Sequence, residues 1–583
     1  MRGGGERPPT GPGTAPGDDQ ETIAEGLGAE ALSGAPPPTL EGGPGDTVPP
    51  PPVEPRPRGP SFARTSALIV ALTLLSRLMG FARDIVISYK FGATGWTDAY
   101  NVANSVPSFL SSVLQGGLDS VIVPYVSPYF GRGEMRRGYG LVNALAVYAA
   151  LPVAILVLLI TLFAHQVVQV LAPGMSPAHI AVGATMSRIL VWTVAASVYF
   201  YLGAAALVSN EKFFYMAAGP VFMSASATAV LLLVPNPPIL LLAWGLFAGY
   251  MLQFLFVAIP IARDFGHFPS LREVSPADPE VRRMLGLAWP ALISSSVGQV
   301  NTLVDRWFGS HLAAGSITDI VYASRIATVP LGLFGYAISN ASYPSLARAY
   351  KAGDHETLRE IWTRDLRVII LLTTVMMALL VALAGPVVAA TYHHGRLTAT
   401  AAAVISQSLV WYSLCLVPFG VRTVINRGFF MTGHSRTLSQ ISVVFVLFNL
   451  VGDAIFTPLM KAPGLAFGTM VDQWISIVGT VYILSRLLPA LPQRAALDAF
   501  VRAALASLPL GVAAYLGDHL LAAALPAFAP TVVGRFVVVL VGMLVGALVG
   551  LGALFAVRYP GLGAMLLGLR RRLAYRRGRP PGR

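Results

Sequence analysis

Charge is scarce in this sequence and cysteine almost absent. Of 583 residues only 12% are charged, and a single one, Cys415, is a cysteine. A soluble domain carries roughly twice that charged fraction, so an ordinary water-soluble enzyme is excluded. One thiol excludes a disulfide framework within the chain and any cysteine-based metal cluster. Inside its apolar run Cys415 reads as a small buried hydrophobe. Also missing are a Gly-x-Ser-x-Gly elbow, a Walker A loop and a His-Glu-x-x-His helix. His393 and His394 stand together in one short break, a pair more often solvated than metal-bound.

What is present is hydrophobicity: 55% of the residues are apolar and the mean hydropathy is +0.64. The first 60 residues differ, with 15 Pro and 13 Gly and no long apolar run. Such a segment buries too little surface to offset chain entropy and reads as a disordered tail, and no apolar stretch makes it a signal peptide.

A bilayer core about 30 Å thick needs roughly 20 apolar residues per helix. From Arg64 onward the apolar runs place helices at 64–89, 98–128, 140–171, 181–208, 213–235, 238–262, 281–309, 317–346, 363–391, 400–430, 437–459, 462–488, 496–525 and 531–557. The expected fold is an all-α integral membrane protein with about 14 spans. With the N-terminus inside, the even-numbered breaks, their flanking helix ends and the C-terminal tail hold 24 Lys and Arg. The odd-numbered breaks hold three, Lys90, Arg396 and Lys461. That asymmetry places both termini in the cytoplasm. The net charge of +13 is then a topology and lipid-headgroup signal and argues against a nucleic-acid partner. No outer break exceeds about a dozen residues, which leaves no room for an extramembrane catalytic domain, so no enzyme is expected.

The chain repeats itself. Residues 91–134 begin Phe-Gly, carry Thr97-Asp98 and end with Pro124 and Gly133; residues 308–354 begin Phe-Gly, carry Thr318-Asp319 and end with Pro344 and Gly353. A unit of six helices is even, so the halves run parallel, as in two-lobed transporters with a central site. The expected organisation is a tail at 1–62, an N-lobe at 63–275, a C-lobe at 276–490, two extra helices at 491–560 and a basic tail at 561–583.

Charges at membrane depth are costly and face a cavity or a partner. In the first span Arg77, Gly80 and Asp84 share a helical face, with Arg83 beside them. Asp98 and Arg325 are candidates for the same anion-attracting cavity, although Arg325 could instead pair with Asp319. A second cluster joins Asp305 to Asn449 and Asp453, which are one helical turn apart, and to Thr469. These hard oxygens suit Na⁺ or a proton; the alternatives are a salt bridge of Asp305 with Arg306 or another basic residue, and a purely structural polar cluster.

The stretches SRLMGFARD, FGATGWTDAY, VPSFL, QVNTLVDRWFGS and YASRI resemble the MurJ (MviN) lipid II flippases of the multidrug/oligosaccharidyl-lipid/polysaccharide (MOP) exporter superfamily. The resemblance covers about residues 63–560. It implies alternating-access transfer of an undecaprenyl-diphosphate-linked peptidoglycan precursor from the inner to the outer leaflet of the bacterial inner membrane, by a monomer of two six-helix bundles. The two extra helices would groove the lipid tail. It further implies substrate handling by Arg77, Arg83, Asp84, Asp98 and Arg325, and a sodium site at Asp305, Asn449, Asp453 and Thr469, with no other cofactor. The sequence departs from the family pattern at Ser111, Ser112, Gln115 and Ser324, where charged residues are usual. A flippase for another polyprenyl-diphosphate glycan, such as an O-antigen or exopolysaccharide precursor, is the alternative.

Overall fold

The computed structural model describes residues 60–265, 278–488 and 490–563. The chain divides into two units, Met1–Phe62 and Ala63–Arg583, and the architecture below concerns the second. The expected tails at 1–62 and 561–583 lie outside the described residues, apart from 60–62 and 561–563.

Eighteen helices and no strand occur among the described residues. In chain order they are α1 (Pro60–Phe91), α2 (Gly95–Gly131), α3 (Met135–Leu162), α4 (Ala164–Leu171), α5 (Pro177–Leu190), α6 (Trp192–Ser209), α7 (Phe214–Leu233), α8 (Leu240–Phe265) and α9 (Pro279–Ser310). They continue as α10 (Ser316–Lys351), α11 (His355–Ala382), α12 (Ala384–Thr391), α13 (Ala399–Leu414), α14 (Leu416–Met431), α15 (Ser435–Met460), α16 (Ala462–Leu487), α17 (Gln493–Ala524) and α18 (Val532–Ala556). Single residues, Phe163, Val191, Leu383 and Cys415, interrupt four longer rods. Among the described residues, ten rods or helices are long and apolar enough to cross a membrane.

The repeat is structural. Helices α3 and α4 begin at Met135 and Ala164, and α11 and α12 begin at His355 and Ala384, each 220 positions later with equal lengths. Gly133 and Gly353 turn the matching corners at φ +78° and +67°. Within each half the last two helices, α7 with α8 and α15 with α16, pack on small residues. A Cβ on Gly249 would stand 2.7 Å from the Met223 backbone, and one on Gly464 would stand 2.2 Å from the Phe456 carbonyl. The added pair α17 and α18 closes the same way, through Gly542 against the Ala514 carbonyl. Lipid supplies no hydrophobic force between helices, so close backbone approach takes its place. Large side chains turn outward, Leu233 and Leu459 being 81% and 73% exposed.

The lobes exchange parts of two helices. Val281, Met284 and Ala288 from the start of α9 sit in the N-lobe core with Ile122, Val126 and Tyr139. Conversely, Phe81 and Ile85 of α1 pack on the C-lobe core, where Phe81 meets the Tyr392 ring edge-on at 5.9 Å. Asp278 caps α9 and also pairs with Arg137 of α3 at 2.7 Å. These contacts define two ends of the molecule: a basic end at the α2–α3 corner and a charge-poor end where α1 finishes.

Candidate translocation cavity

On the N-lobe side a cavity of about 240 Å³ is lined by Arg77, Gly80, Arg83 and Asp84 of α1, Tyr250 of α8, and Arg325 and Thr328 of α10. The helical spacing read from the sequence thus puts the α1 motif on one wall. Arg83 and Asp84 are buried and joined at 2.9 Å (Nη2 to Oδ1), with Nε 3.2 Å from the same oxygen. From the opposite lobe Arg325 Nε reaches Asp84 Oδ2 at 3.5 Å. Arg325 therefore pairs with Asp84 and not with Asp319. Arg77 is exposed to the same cavity. Three guanidinium groups face one carboxylate, a surplus that attracts an anion with charge-assisted donors.

A second cavity of about 430 Å³ lies in the C-lobe, lined among others by Asp305, Arg306, Ser324, Arg422, Asp472 and Gln473. Thr328 lines both cavities, so they meet along α10. The position of Arg422 and Asp472 on this wall escaped the sequence analysis, although both are charges inside apolar runs. Of the four departures named above, Ser111 is buried and its hydroxyl has no partner among the described residues. Ser112 is exposed and bonds the Ser108 carbonyl, Gln115 is exposed, and Ser324 bonds the Val321 carbonyl.

Of the predicted oxygen set, Asp305 and Thr469 line this same C-lobe cavity, whereas Asn449 and Asp453 are not on its wall. Asn449 and Asp453 of α15 are 1% and 0% exposed, and all four of their side-chain polar atoms lack partners among the described residues. Asp305 Oδ1 is equally orphaned, with no ion pair to Arg306 among the described residues. Thr469 Oγ1 donates to the Leu465 carbonyl and keeps its lone pairs. Asp453 feels the charges of Asp305 and Asp472. Thr457, one further turn along α15, adds a buried hydroxyl without a partner; continuing the Asn449–Asp453 spacing by four would have found it. Buried polar groups normally find partners, and all of these but the Asn449 amide nitrogen are hard oxygen donors. The set fits Na⁺ or protons. No group of three His, Cys, Asp or Glu suited to a metal occurs among the described residues.

Asp98 departs from expectation. It does not line the cavity with Arg77 and Arg83; it closes the charge-poor end. Its carboxylate accepts from Gly315 N at 2.6 Å, Thr318 N at 2.8 Å and Thr318 Oγ1 at 2.7 Å. A carboxylate of the N-lobe thereby caps the N-terminus of α10 in the C-lobe, where orphan amides and the helix dipole favour a negative charge. Asn101 Nδ2 adds a bond to Thr318 Oγ1 at 3.0 Å. Two glycines let the backbones meet here. Gly92 (φ +67°) and Gly315 (φ +100°) adopt left-handed backbone, and a Cβ on either would stand 2.6 Å from the carbonyl of Arg396 or Ala93. The pairing was beyond sequence reasoning because the partners are 217 and 220 positions apart.

The sequence profile of the family described as "Lipid II flippase MurJ" matches residues 87–534. The lipid II flippase MurJ of Burkholderia cenocepacia is 27% identical over 412 residues, covering 69% of this chain and 80% of the relative. The probable lipid II flippase MurJ of Haemophilus influenzae is 27% identical over 471 residues, 76% and 90% of the two chains. Among solved structures, a lipid II flippase MurJ in an inward closed conformation superposes with a TM-score of 0.69 at 23% identity, over 83% of this chain and 98% of that one. An inward-facing MATE family transporter of the MOP superfamily follows with a TM-score of 0.60 at 15% identity, over 73% and 99%.

Proposed function

This chain belongs to the lipid II flippase MurJ family, and from that premise we propose that it carries lipid II from the inner to the outer leaflet of the bacterial inner membrane by alternating access, with both termini in the cytoplasm. The observation that carries the reading is the cation-lined cavity built by both lobes, with Arg77, Arg83 and Arg325 around a single carboxylate. A diphosphate is the anion such a set of bidentate donors suits. Asp84 holds Arg83 and Arg325 toward each other until the substrate replaces it as their counter-charge. The Asp98 cap keeps the charge-poor end shut while the head group enters from the basic side. Breaking the hydrogen bonds that Asp98 and Asn101 make across the lobes then opens the outer side.

In this reading a coupling cation, Na⁺ or H⁺, binds the oxygens of Asp305, Asn449, Asp453 and Thr469. Its chemistry is to neutralise carboxylates that otherwise repel one another. The orphaned buried oxygens support it. Sodium alone should raise the thermal stability of the purified protein in detergent, and Asp453→Asn should abolish that rise.

The decisive test is genetic. Arg77→Ala should fail to rescue a strain depleted of its lipid II flippase, and normal growth would overturn the assignment of Arg77. The serines at 111 and 112 favour a second reading, a flippase for another polyprenyl-diphosphate glycan. Competition between lipid II and such glycolipids for the purified protein separates the two.

A further inference from the structure

Gln473 holds two opposite charges apart in the C-lobe cavity. Its carbonyl oxygen accepts from Arg422 Nη1 at 3.0 Å, and its amide nitrogen donates to Asp472 Oδ2 at 3.0 Å. Arg422 Nη2 also reaches Ser476 Oγ at 3.4 Å. The guanidinium and the carboxylate interact electrostatically, yet they form no ion pair among the described residues. Asp472 is 3% exposed and its Oδ1 has no partner among the described residues. All three side chains line the 430 Å³ cavity. Opposite charges so close in a poorly solvated site gain most by direct pairing, and a neutral amide wedged between them prevents it. Each ion is left able to bind a further group of opposite sign.

We propose that Arg422, Gln473 and Asp472 form a second head-group subsite that reads a zwitterionic peptide, its carboxylate on Arg422 and its ammonium on Asp472. The proposal rests on the reading of the chain as a lipid II flippase and gives the C-lobe its share of the substrate. The N-lobe cavity, with a surplus of guanidinium groups, takes the diphosphate. The two cavities join at Thr328, so one head group spans both. A glycan without a peptide has nothing to offer the Arg422–Asp472 pair, and the subsite therefore selects among polyprenyl-diphosphate lipids.

The test uses the full chain in detergent and two probes: lipid II, and the undecaprenyl-diphosphate disaccharide lacking the peptide. Wild type should bind lipid II at least about tenfold more tightly than the peptide-free lipid, a ratio worth about 1.4 kcal/mol. Arg422→Gln and Asp472→Asn should each collapse that ratio toward one. Because the peptide-free lipid is measured on the same preparations, a misfolded variant shows as loss of both and is replaced by Gln473→Leu. That variant lets Arg422 and Asp472 close on each other and should collapse the ratio likewise. Equal binding of both lipids by wild type, or an unchanged ratio in the folded variants, overturns the proposal. Failure of wild type to bind either lipid overturns the flippase reading itself.

Discussion

Arg83 and Asp84 are neighbours in the chain, buried together, and reached from the other lobe by Arg325. Removing Arg83 would leave a buried carboxylate with one longer contact. Breaking such a pair costs about 3–5 kcal/mol where no other partner exists, and Arg325 offsets part of that. Arg83→Ala should therefore lower stability by about 2–3 kcal/mol and eliminate lipid transfer, read by thermal unfolding and by a proteoliposome flipping assay. Asp84→Asn keeps one acceptor oxygen for Arg83 but turns an NH2 donor toward Arg325, so the contact between the lobes should be lost. The α1 residues were legible in the sequence because charge in an apolar run is conspicuous and the spacing of a helix is known. Their partner was not, since Asp319 was as near to Arg325 in sequence as Asp84 proved to be in space.

At the level of helices, close packing meets function on α16. A Cβ at Gly468 would lie 2.8 Å from Asp453 Oδ1 and 3.2 Å from the Gly452 backbone. Gly468→Ala should displace the Asp453 carboxylate, cost about 1–3 kcal/mol by overpacking, and abolish sodium-dependent stabilisation in a thermal-shift measurement. Outside the membrane, Asp354 caps α11 by accepting from Thr357 N at 3.0 Å. The hydrogen bonds from Thr357 hold its carboxyl below the ordinary value. A depressed folded value means that the cap contributes above the unfolded carboxylate value and fades as pH falls through the folded one. Protection of the Thr357 amide from hydrogen exchange should exceed that of Asp354→Asn at neutral pH, and the difference should vanish as the carboxyl protonates. The breaks at Phe163 and Leu383 were invisible in hydropathy, because both rods stay apolar across them; only their 220-residue spacing reveals the repeat at this scale.

For the whole molecule, the charge-poor end is the joint that alternating access must open. Asn101 and Thr318 face each other across the lobes there. In a Cys415→Ala background, a short bifunctional thiol reagent across Asn101→Cys and Thr318→Cys should stop lipid transfer, and a cleavable reagent should restore it on reduction. Transfer that continues in the cross-linked protein would mean that this end does not open. The exchange of helix halves, α9 into the N-lobe core and α1 onto the C-lobe core, ties any such movement to α1 and α9.

The sequence alone determined that the chain is all-helical and membrane-spanning, where its helices run, that it repeats, and which charges are too costly to face lipid. These follow from composition, periodicity and the price of desolvating an ion, all of which are local. Tertiary structure decided which charge meets which. It took Asp98 out of the cavity to cap α10, set Arg325 on Asp84, and placed Arg422 and Asp472 on either side of Gln473. Those outcomes depend on contacts between segments tens to hundreds of residues apart. A helical pattern states which face a side chain occupies, and only the packing of the lobes states what lies opposite it.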